Sequence, residues 1–296
     1  MSVDGIINAI KPHGMSSFAM VSLVRRVSGE RRVGHAGTLD KPATGVLPIC
    51  IGKATRVVEF LTAGRKVYRA KVKLGIVTDT YDGEGSIIEE RDWSSIDKNQ
   101  LERLLPSFIG TIKQVPPMYS ALKRDGKPLH RLARAGVEIE RKPRDIDIYS
   151  IDILDWQPPY FTIDVECGKG TYIRSLAYDI GQTLGCGAHL ANLIRTRNGI
   201  FDMAGGLTVD QIEEVFSTGN WQDVLHPLDS VLGHMSPATV DSDTQKNIKN
   251  GISIELEVEN PLDDQWCRVY SEDGRFIALL KYDQSEGKWH PSKVFI

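Results

Sequence analysis

The strongest constraint on the fold is a two-residue alternation over residues 66–75. Tyr68, Ala70, Val72 and Leu74 face one way, and Arg69, Lys71 and Lys73 face the other. That is the pattern of a strand with one apolar and one solvated face. Residues 160–167 carry a second strand signal. Helical spacing surrounds both. Over 16–28, Met20, Leu23, Val24 and Val27 recur at helical intervals, with Ser16 or Ser17 to cap the start and Gly29 to end it. The same spacing predicts helices over 53–62 (Ala54, Val57, Val58, Leu61), 97–108 (Leu101, Leu104, Leu105, Phe108) and 171–184 (Ile173, Leu176, Ala177, Ile180, Leu184). Pro106 should bend or end the second of these. Thr208 and Gln211 form a capping box that opens one more helix, carrying Val209, Ile212 and Val215. Strand and helix signals do not alternate strictly. The expected class is therefore α+β, with a mixed, mostly antiparallel central sheet flanked by helices.

A break is expected near 230–238, punctuated by Gly233 and Pro237. From 252 onward the chain reads as short strands, with turns at Asp273-Gly274 and Gly287. This divides the 296 residues into a main domain, 1–234, and a small β module, 235–296. A piece of ~60 residues is near the lower limit of independent stability, so the module should dock on the main body. Charge follows the same division. The net charge is −3, but residues 231–296 hold 11 acidic and seven basic side chains, which leaves the rest at +1. Any contact with a polyanion must use local patches and not a global field.

Composition excludes several classes. Cys50, Cys167, Cys186 and Cys267 are widely spaced, without a C-x-x-C pair, and the seven histidines form no H-E-x-x-H. No metal site or disulfide framework is expected. No apolar run is long enough to cross a bilayer, and Met1-Ser2-Val3-Asp4-Gly5 lacks the features of a signal peptide. The expected address is the cytoplasm, with no membrane partner, and the expected state is a monomer. Gly168-Lys169-Gly170-Thr171 fails the phosphate-loop spacing, and Gly185-Cys186-Gly187 lacks the third glycine of a dinucleotide fingerprint. No cofactor is expected.

Residues 34–48 carry the chemistry. They read Gly34-His35-Ala36-Gly37-Thr38-Leu39-Asp40-Lys41-Pro42-Ala43-Thr44-Gly45-Val46-Leu47-Pro48. Small and turn-forming residues surround a single carboxylate, Asp40, so another backbone can approach closely. On spacing alone Asp40 reads first as a turn cap, because Asp is common there, and second as a site presented on a loop.

The segment resembles the catalytic motif of the TruB family of pseudouridine synthases, G-H-x-G-T-L-D-P-x-A-x-G-V-L. One departure stands out. The family usually has Pro directly after the Asp, whereas here Lys41 intervenes before Pro42. Loop length is kept, so a small change in loop conformation is expected. Further blocks follow in family order. Lys11-Pro12-His13-Gly14-Met15-Ser16-Ser17 resembles K-P-x-G-x-T-S. Lys66-Val67-Tyr68, Leu74-Gly75 and Thr78-Asp79-Thr80 resemble the next block. Gln114-Val115-Pro116-Pro117-Met118-Tyr119-Ser120-Ala121-Leu122-Lys123 is similar to Q-x-P-P-x-Y-S-A-x-K. Lys169-Gly170-Thr171-Tyr172-Ile173-Arg174-Ser175-Leu176 is similar to K-G-T-Y-I-R-S-L, and Gly185-Cys186-Gly187-Ala188 with Leu193 match the segment after it. The resemblance covers roughly residues 5–202.

The resemblance implies a pseudouridine synthase fold, and isomerisation of uridine 55 in the T loop of tRNAs. The reaction detaches uracil, turns it and rejoins it through carbon 5. It needs no redox cofactor and no energy input, which suits the missing cofactor motifs. By resemblance Asp40 is the nucleophile or charge stabiliser, and Arg174 pairs with it. A nearby guanidinium favours the ionised carboxylate that such chemistry needs. Tyr68 would stack on the target base and Tyr172 would stand with it in the site. Leu193 would wall the pocket, although a helical Leu in the core is as natural a reading. His35 would fill the space left by flipped nucleotides, and Lys11 would join the substrate-binding set.

Lys123, Arg124, Lys127, His130, Arg131, Arg134, Arg141, Lys142 and Arg144 form a basic stretch that can track a phosphate backbone. It resembles a thumb-like RNA-binding insertion, placed here at about 117–146. The tail, 235–296, sits where family members carry a small β-barrel RNA-binding module of the PUA type. Two rival activities remain: a guide-RNA-dependent synthase of the same superfamily, and a tRNA-folding chaperone without chemistry.

Overall fold

The structure is a computed structural model. It describes residues 3–119, 140–258 and 260–296, and the backbone alone of 123–124 and 127–128. Its centre is a nine-stranded sheet. The strands are β1 (Gly5–Lys11), β2 (Val33–His35), β3 (Thr44–Ile51), β4 (Lys66–Leu74), β7 (Gly110–Gln114), β10 (Arg144–Gln157), β11 (Tyr160–Cys167), β12 (Ala188–Asn198) and β13 (Phe201–Asp202). Two small ladders stand apart from it: β5 (Ile76–Thr78) with β6 (Ile87–Glu90), and β8 (Lys123–Arg124) with β9 (Lys127–Pro128).

The main path runs β1-β3-β12-β4-β11-β10-β7, with β2 on β3 and β13 on β12. Every described pairing in this sheet is antiparallel except β3 with β12. The sheet is thus mixed and mostly antiparallel, as the broken alternation of strand and helix signals predicts. The parallel join matters for function, because it sets Gly45, just beyond the Asp40 loop, beside Arg195.

Among the described residues, five helices pack around this body, in chain order: α1 (Ser17–Ser28), α2 (Val58–Ala63), α3 (Lys98–Leu104), α4 (Ile173–Leu184) and α5 (Val209–Thr218). In α1 the Ser16 hydroxyl accepts from the Ala19 amide at 3.0 Å, and Gly29 closes the helix at φ 69°. Its face of Met20, Val21 and Val24 is buried against β3 and α5. α4 lays Ile173, Leu176, Ala177 and Ile180 onto β4, β10 and β11, where Phe161, Ile163 and Val165 wait. The capping box of Thr208 and Gln211 forms at the start of α5.

Three expectations shift in detail. The 53–62 helix is a 3-10 turn, Gly52–Val57, that continues into α2. The 97–108 helix ends at Leu104, and a 3-10 turn with Pro106 near its start follows. Leu193, read as helical, lies in strand β12. That strand has register shifts between Leu190 and Asn192 and between Arg195 and Arg197. Each shift moves the following side chains to the other face, so the two-residue period never accumulates in the sequence.

The C-terminal module holds a four-stranded sheet, β14 (Ser236–Val240), β15 (Trp266–Ser271), β16 (Phe276–Asp283) and β17 (Lys288–Val294), in that order, with helix α6 (Ser242–Lys249). Ile254 bridges to Trp289 beyond the four strands. One face encloses a core of its own, with Val269, Ile277, Leu280 and Trp289. Leu279 and Phe295 instead join Ile6, Cys50, Ala54 and Val57 of the main body, so the module is docked through a shared apolar cluster. Lys293 also reaches Glu59 at 2.7 Å. No helix of the described residues is long and apolar enough to cross a membrane.

Candidate active site

The Asp40 loop hangs between β2 and β3 and is pinned from below. Ser17 Oγ donates to the Leu39 carbonyl at 3.0 Å and accepts from its amide at 2.9 Å. The Lys41 carbonyl accepts from the Gly14 amide at 3.0 Å and from Lys11 Nζ at 3.1 Å. The Ala43 amide closes the turn onto the Asp40 carbonyl at 3.1 Å. These bonds use the backbone of position 41 and leave the Lys41 side chain exposed. A lysine is therefore accommodated where the family has proline.

Asp40 Oδ2 lies 2.9 Å from Arg174 Nη2. The Arg174 side chain, in the first turn of α4, is 7% exposed, whereas that of Asp40 is 46% exposed. The cation is therefore part of the wall and the carboxylate is the accessible partner. Arg174 also donates to the Tyr119 carbonyl at 2.9 Å and to the Thr80 carbonyl at 3.3 Å. A second carboxylate, Asp82, stands 3.5 Å from Nη1 with only 14% of its side chain exposed. One guanidinium fork thus carries two acids and two carbonyls, a division that its planar set of donors suits.

Asp40, Asp82 and Arg174 line a cleft of about 190 Å3 together with His13, Pro42, Ala43, Gly83, Glu84 and residues 190–193. Leu193 forms part of its apolar wall. Tyr68 and Tyr172 do not line this cleft. Tyr68 lies beneath, its hydroxyl 3.5 Å from Arg195 Nη1. Burial raises its pKa and the Arg195 cation opposes the rise. Tyr172 immediately precedes α4, and its backbone is clamped on both sides by the Gln114 side chain, at 2.9 and 3.1 Å. That clamp fixes the start of the helix that delivers Arg174.

His35 ends β2 with a buried Nδ1 that has no hydrogen-bond partner among the described residues. Burial, and then Arg195, lower its pKa. Lys11 is fully buried and does not face solvent. Its Nζ donates to the carbonyls of Pro12, Met15 and Lys41. It acts on the site through the loop. The side chains of Lys123, Arg124, Lys127, Arg131 and Arg134 lie outside the described residues.

Sequence reasoning missed Asp82, His13 and Arg195. Asp82 follows the Thr78-Asp79-Thr80 block by two residues, which was the available signal. Nothing in local spacing marks Arg195. Among the described residues, Asp283, Glu286 and His290 bring three potential metal ligands within 4.8 Å, in the C-terminal module. Asp283 already accepts from the Ser285 hydroxyl and the Glu286 amide, and Glu286 pairs with His290 at 3.1 Å.

Comparison with known proteins bears on this geometry. The TruB family pseudouridylate synthase N-terminal domain matches residues 25–173, and the tRNA pseudouridylate synthase B C-terminal domain matches 174–233. The chain belongs to the TruB family. It is 42% identical over 294 residues to the tRNA pseudouridine synthase B of Dehalococcoides mccartyi strain 195, covering 99% of this chain and 97% of that one. It is 45% identical over 279 residues to the protein of the same name from Clostridium acetobutylicum, covering 94% and 95%. Among solved structures, a crystal structure of a Cbf5-Nop10-Gar1 complex matches with a TM-score of 0.75 and 26% identity, over 99% of this chain and 85% of that one. The archaeal box H/ACA Nop10-Cbf5 complex shares the fold at a TM-score of 0.74 and 23% identity. As a TruB-family chain, this protein is a pseudouridylate synthase; Asp40 lies in the N-terminal match and Arg174 opens the C-terminal one.

Proposed function

We propose that this chain isomerises uridine 55 in the T loop of tRNAs to pseudouridine, with Asp40 as nucleophile or charge stabiliser. Relatives named tRNA pseudouridine synthase B, matched along nearly the whole chain, support tRNA as the substrate. The observation that carries the assignment of Asp40 is its 2.9 Å pairing with a buried guanidinium at the edge of an open cleft. An acid paired with a wall cation, yet half exposed, is placed to meet a sugar or base that enters from solvent. The reaction breaks the bond from ribose to uracil N1 and forms one to carbon 5. Carbon 5 then loses its proton and N1 gains one. Tyr68, set outside the free cleft, assists that proton transfer once the everted base reaches it, and Tyr172 holds the start of the helix that carries Arg174.

The target uridine is stacked inside a folded loop, so it must be everted into the cleft. Leu193 packs against the everted base, and His35 occupies space on the vacated side. Lys11 supports the loop from beneath. The basic insertion at about 117–146, with Lys123, Arg124, Lys127, Arg131 and Arg134, grips the T arm. The main domain is 1–234, and 235–296 is an RNA-binding module of the PUA type.

Mapping pseudouridine after incubation with unmodified tRNA, or with an isolated T-arm hairpin, tests the reading. Product at position 55 is expected from both substrates, and Asp40→Ala should bind RNA without making product. A requirement for an added guide RNA would move the chain to the guide-dependent branch, which the Cbf5 likeness keeps in view. Binding without product from the unmutated protein would make it a chaperone.

A further inference from the structure

Arg195 is a buried cation to which the proposed chemistry gives no part. It lies in β12 with 1% of its surface exposed, and among the described residues it makes no ion pair. Its three acceptors are neutral. Nε donates to the Val46 carbonyl at 2.7 Å, Nη2 to the Gly37 carbonyl at 3.0 Å, and Nη1 to the Tyr68 hydroxyl at 3.5 Å. Gly37 and Val46 bracket the Asp40 loop. The loop is built around this residue at both ends. Gly37 has φ +93°, and a Cβ there would stand 3.4 Å from Arg195 Nη1. Gly45 has φ +104°, and a Cβ there would fall 2.3 Å from the Arg195 carbonyl oxygen. At Gly45 only glycine allows such an approach, whereas at Gly37 it is the positive φ that favours glycine.

Burying a guanidinium without a carboxylate is costly, and an apolar side chain of similar volume would fill the same space without that cost. A site that retains the charge is using its field, its geometry or both. The three acceptors diverge as a planar fork of donors does, and a single ammonium could not meet them all. The field is felt as well: the Arg195 cation opposes the effect of burial at Tyr68 and adds to it at Lys11 and His35.

We propose that Arg195 is a positioning residue for the isomerisation, tying the start and end of the Asp40 loop to the Tyr68 hydroxyl and so fixing the carboxylate against the tyrosine. The proposal rests on the roles given above to Asp40 and Tyr68.

Single-turnover rates and hairpin affinities of the full chain, with Arg195→Gln and Arg195→Lys, test it alongside amide hydrogen exchange of the free protein. Arg195→Gln should bind the T-arm hairpin within about threefold of the unmutated protein and turn over at least about 100-fold more slowly. Arg195→Lys should keep the affinity and fall between the two in rate. Amides of residues 38–45 should exchange at least about tenfold faster in Arg195→Gln, with those of α1 unchanged. A rate within tenfold of the unmutated protein would overturn the proposal. So would a parallel loss of affinity and rate with faster exchange throughout, which marks a merely structural residue. If Arg195→Gln does not fold, Arg195→Lys decides, and an unmutated rate there refutes the fork. If the unmutated protein makes no pseudouridine, the proposed function falls on its own. The exchange measurement then judges the clamp alone, and unchanged exchange in the loop ends it.

Discussion

The main sheet and the C-terminal sheet treat buried polarity differently. Among the described residues, the main body buries Lys11, Lys66, Arg174 and Arg195 to 6% exposure or less, with Asn8, Gln114, His189 and Asn198. The described residues of the C-terminal module bury one polar side chain, Ser271, beside a core of Val269, Ile277, Leu280 and Trp289. Buried charge is costly unless hydrogen bonds satisfy it. The main body meets that need with backbone carbonyls: three for Lys11, those of Thr62 and Gly64 for Lys66, and those of Gly37 and Val46 for Arg195. The module gains stability from apolar burial; the main body spends part of its own on a positive interior around one accessible acid. A net charge of −3 hides this, because the cations that matter are inside.

The largest effect that could break the comparison is at Arg174. A lysine there offers one ammonium to Asp40, Asp82 and two carbonyls now served by a fork. Arg174→Lys is expected to slow pseudouridine formation by about 100-fold or more in single-turnover assays. A near-normal rate would mean that charge alone, without the fork, suffices in this interior.

The apolar side of the comparison is sharpened at Leu280, which is fully buried in the module core. Leu280→Ala is expected to cost about 2–5 kcal/mol of module stability, read from urea unfolding. Turnover of the T-arm hairpin should be unchanged at temperatures where the module stays folded.

A third prediction uses pH. Burial pulls the Lys11 and Lys66 ammonium groups down to about 8 from 10.5. Between those values the unfolded chain holds more protons than the folded one, so stability from these groups rises with pH. From pH 7.5 to 9 the main body should gain on the order of 1 kcal/mol, followed by hydrogen exchange corrected for intrinsic rates. The buried thiols Cys50 and Cys167 oppose this only weakly below the ordinary thiol value of 9.0. In the module, burial pushes the Cys267 thiol up to about 11, which gives a small change of the opposite sign.

The smallest effect concerns Asp179 in α4, where burial pushes the carboxyl up to about 6. Its folded value lies above the unfolded 3.8, so stability from this group falls as pH rises and is lowest above pH 6. Asp179→Asn should stabilise the protein by about 1 kcal/mol at pH 7.5 and by less at pH 5, measured from urea midpoints. An equal gain at both pH values would show that the buried charge is not the cause.

The sequence by itself determined several elements whose face is continuous. α1, β4 and α4 each turn the residues that their spacing marks toward the core, fully buried at Met20, Val24, Ala70, Val72, Leu74, Ile173, Leu176, Ala177 and Ile180 and half-buried at Leu23, Val27, Tyr68 and Leu184, because a regular period in the chain becomes one face in space. It also carried the Asp40 and Arg174 segments, since each is a compact local motif. Tertiary structure alone decided the rest. β12 was invisible because two register shifts erase its period. Asp82 and Arg195 reach the site from 42 and 155 positions beyond Asp40, across strand pairings that no local pattern encodes. The fate of Lys11 was likewise a matter of packing. A lysine in a basic-looking motif reads as a surface contact, and only the carbonyls of three other residues, closing over its ammonium, make it an interior support.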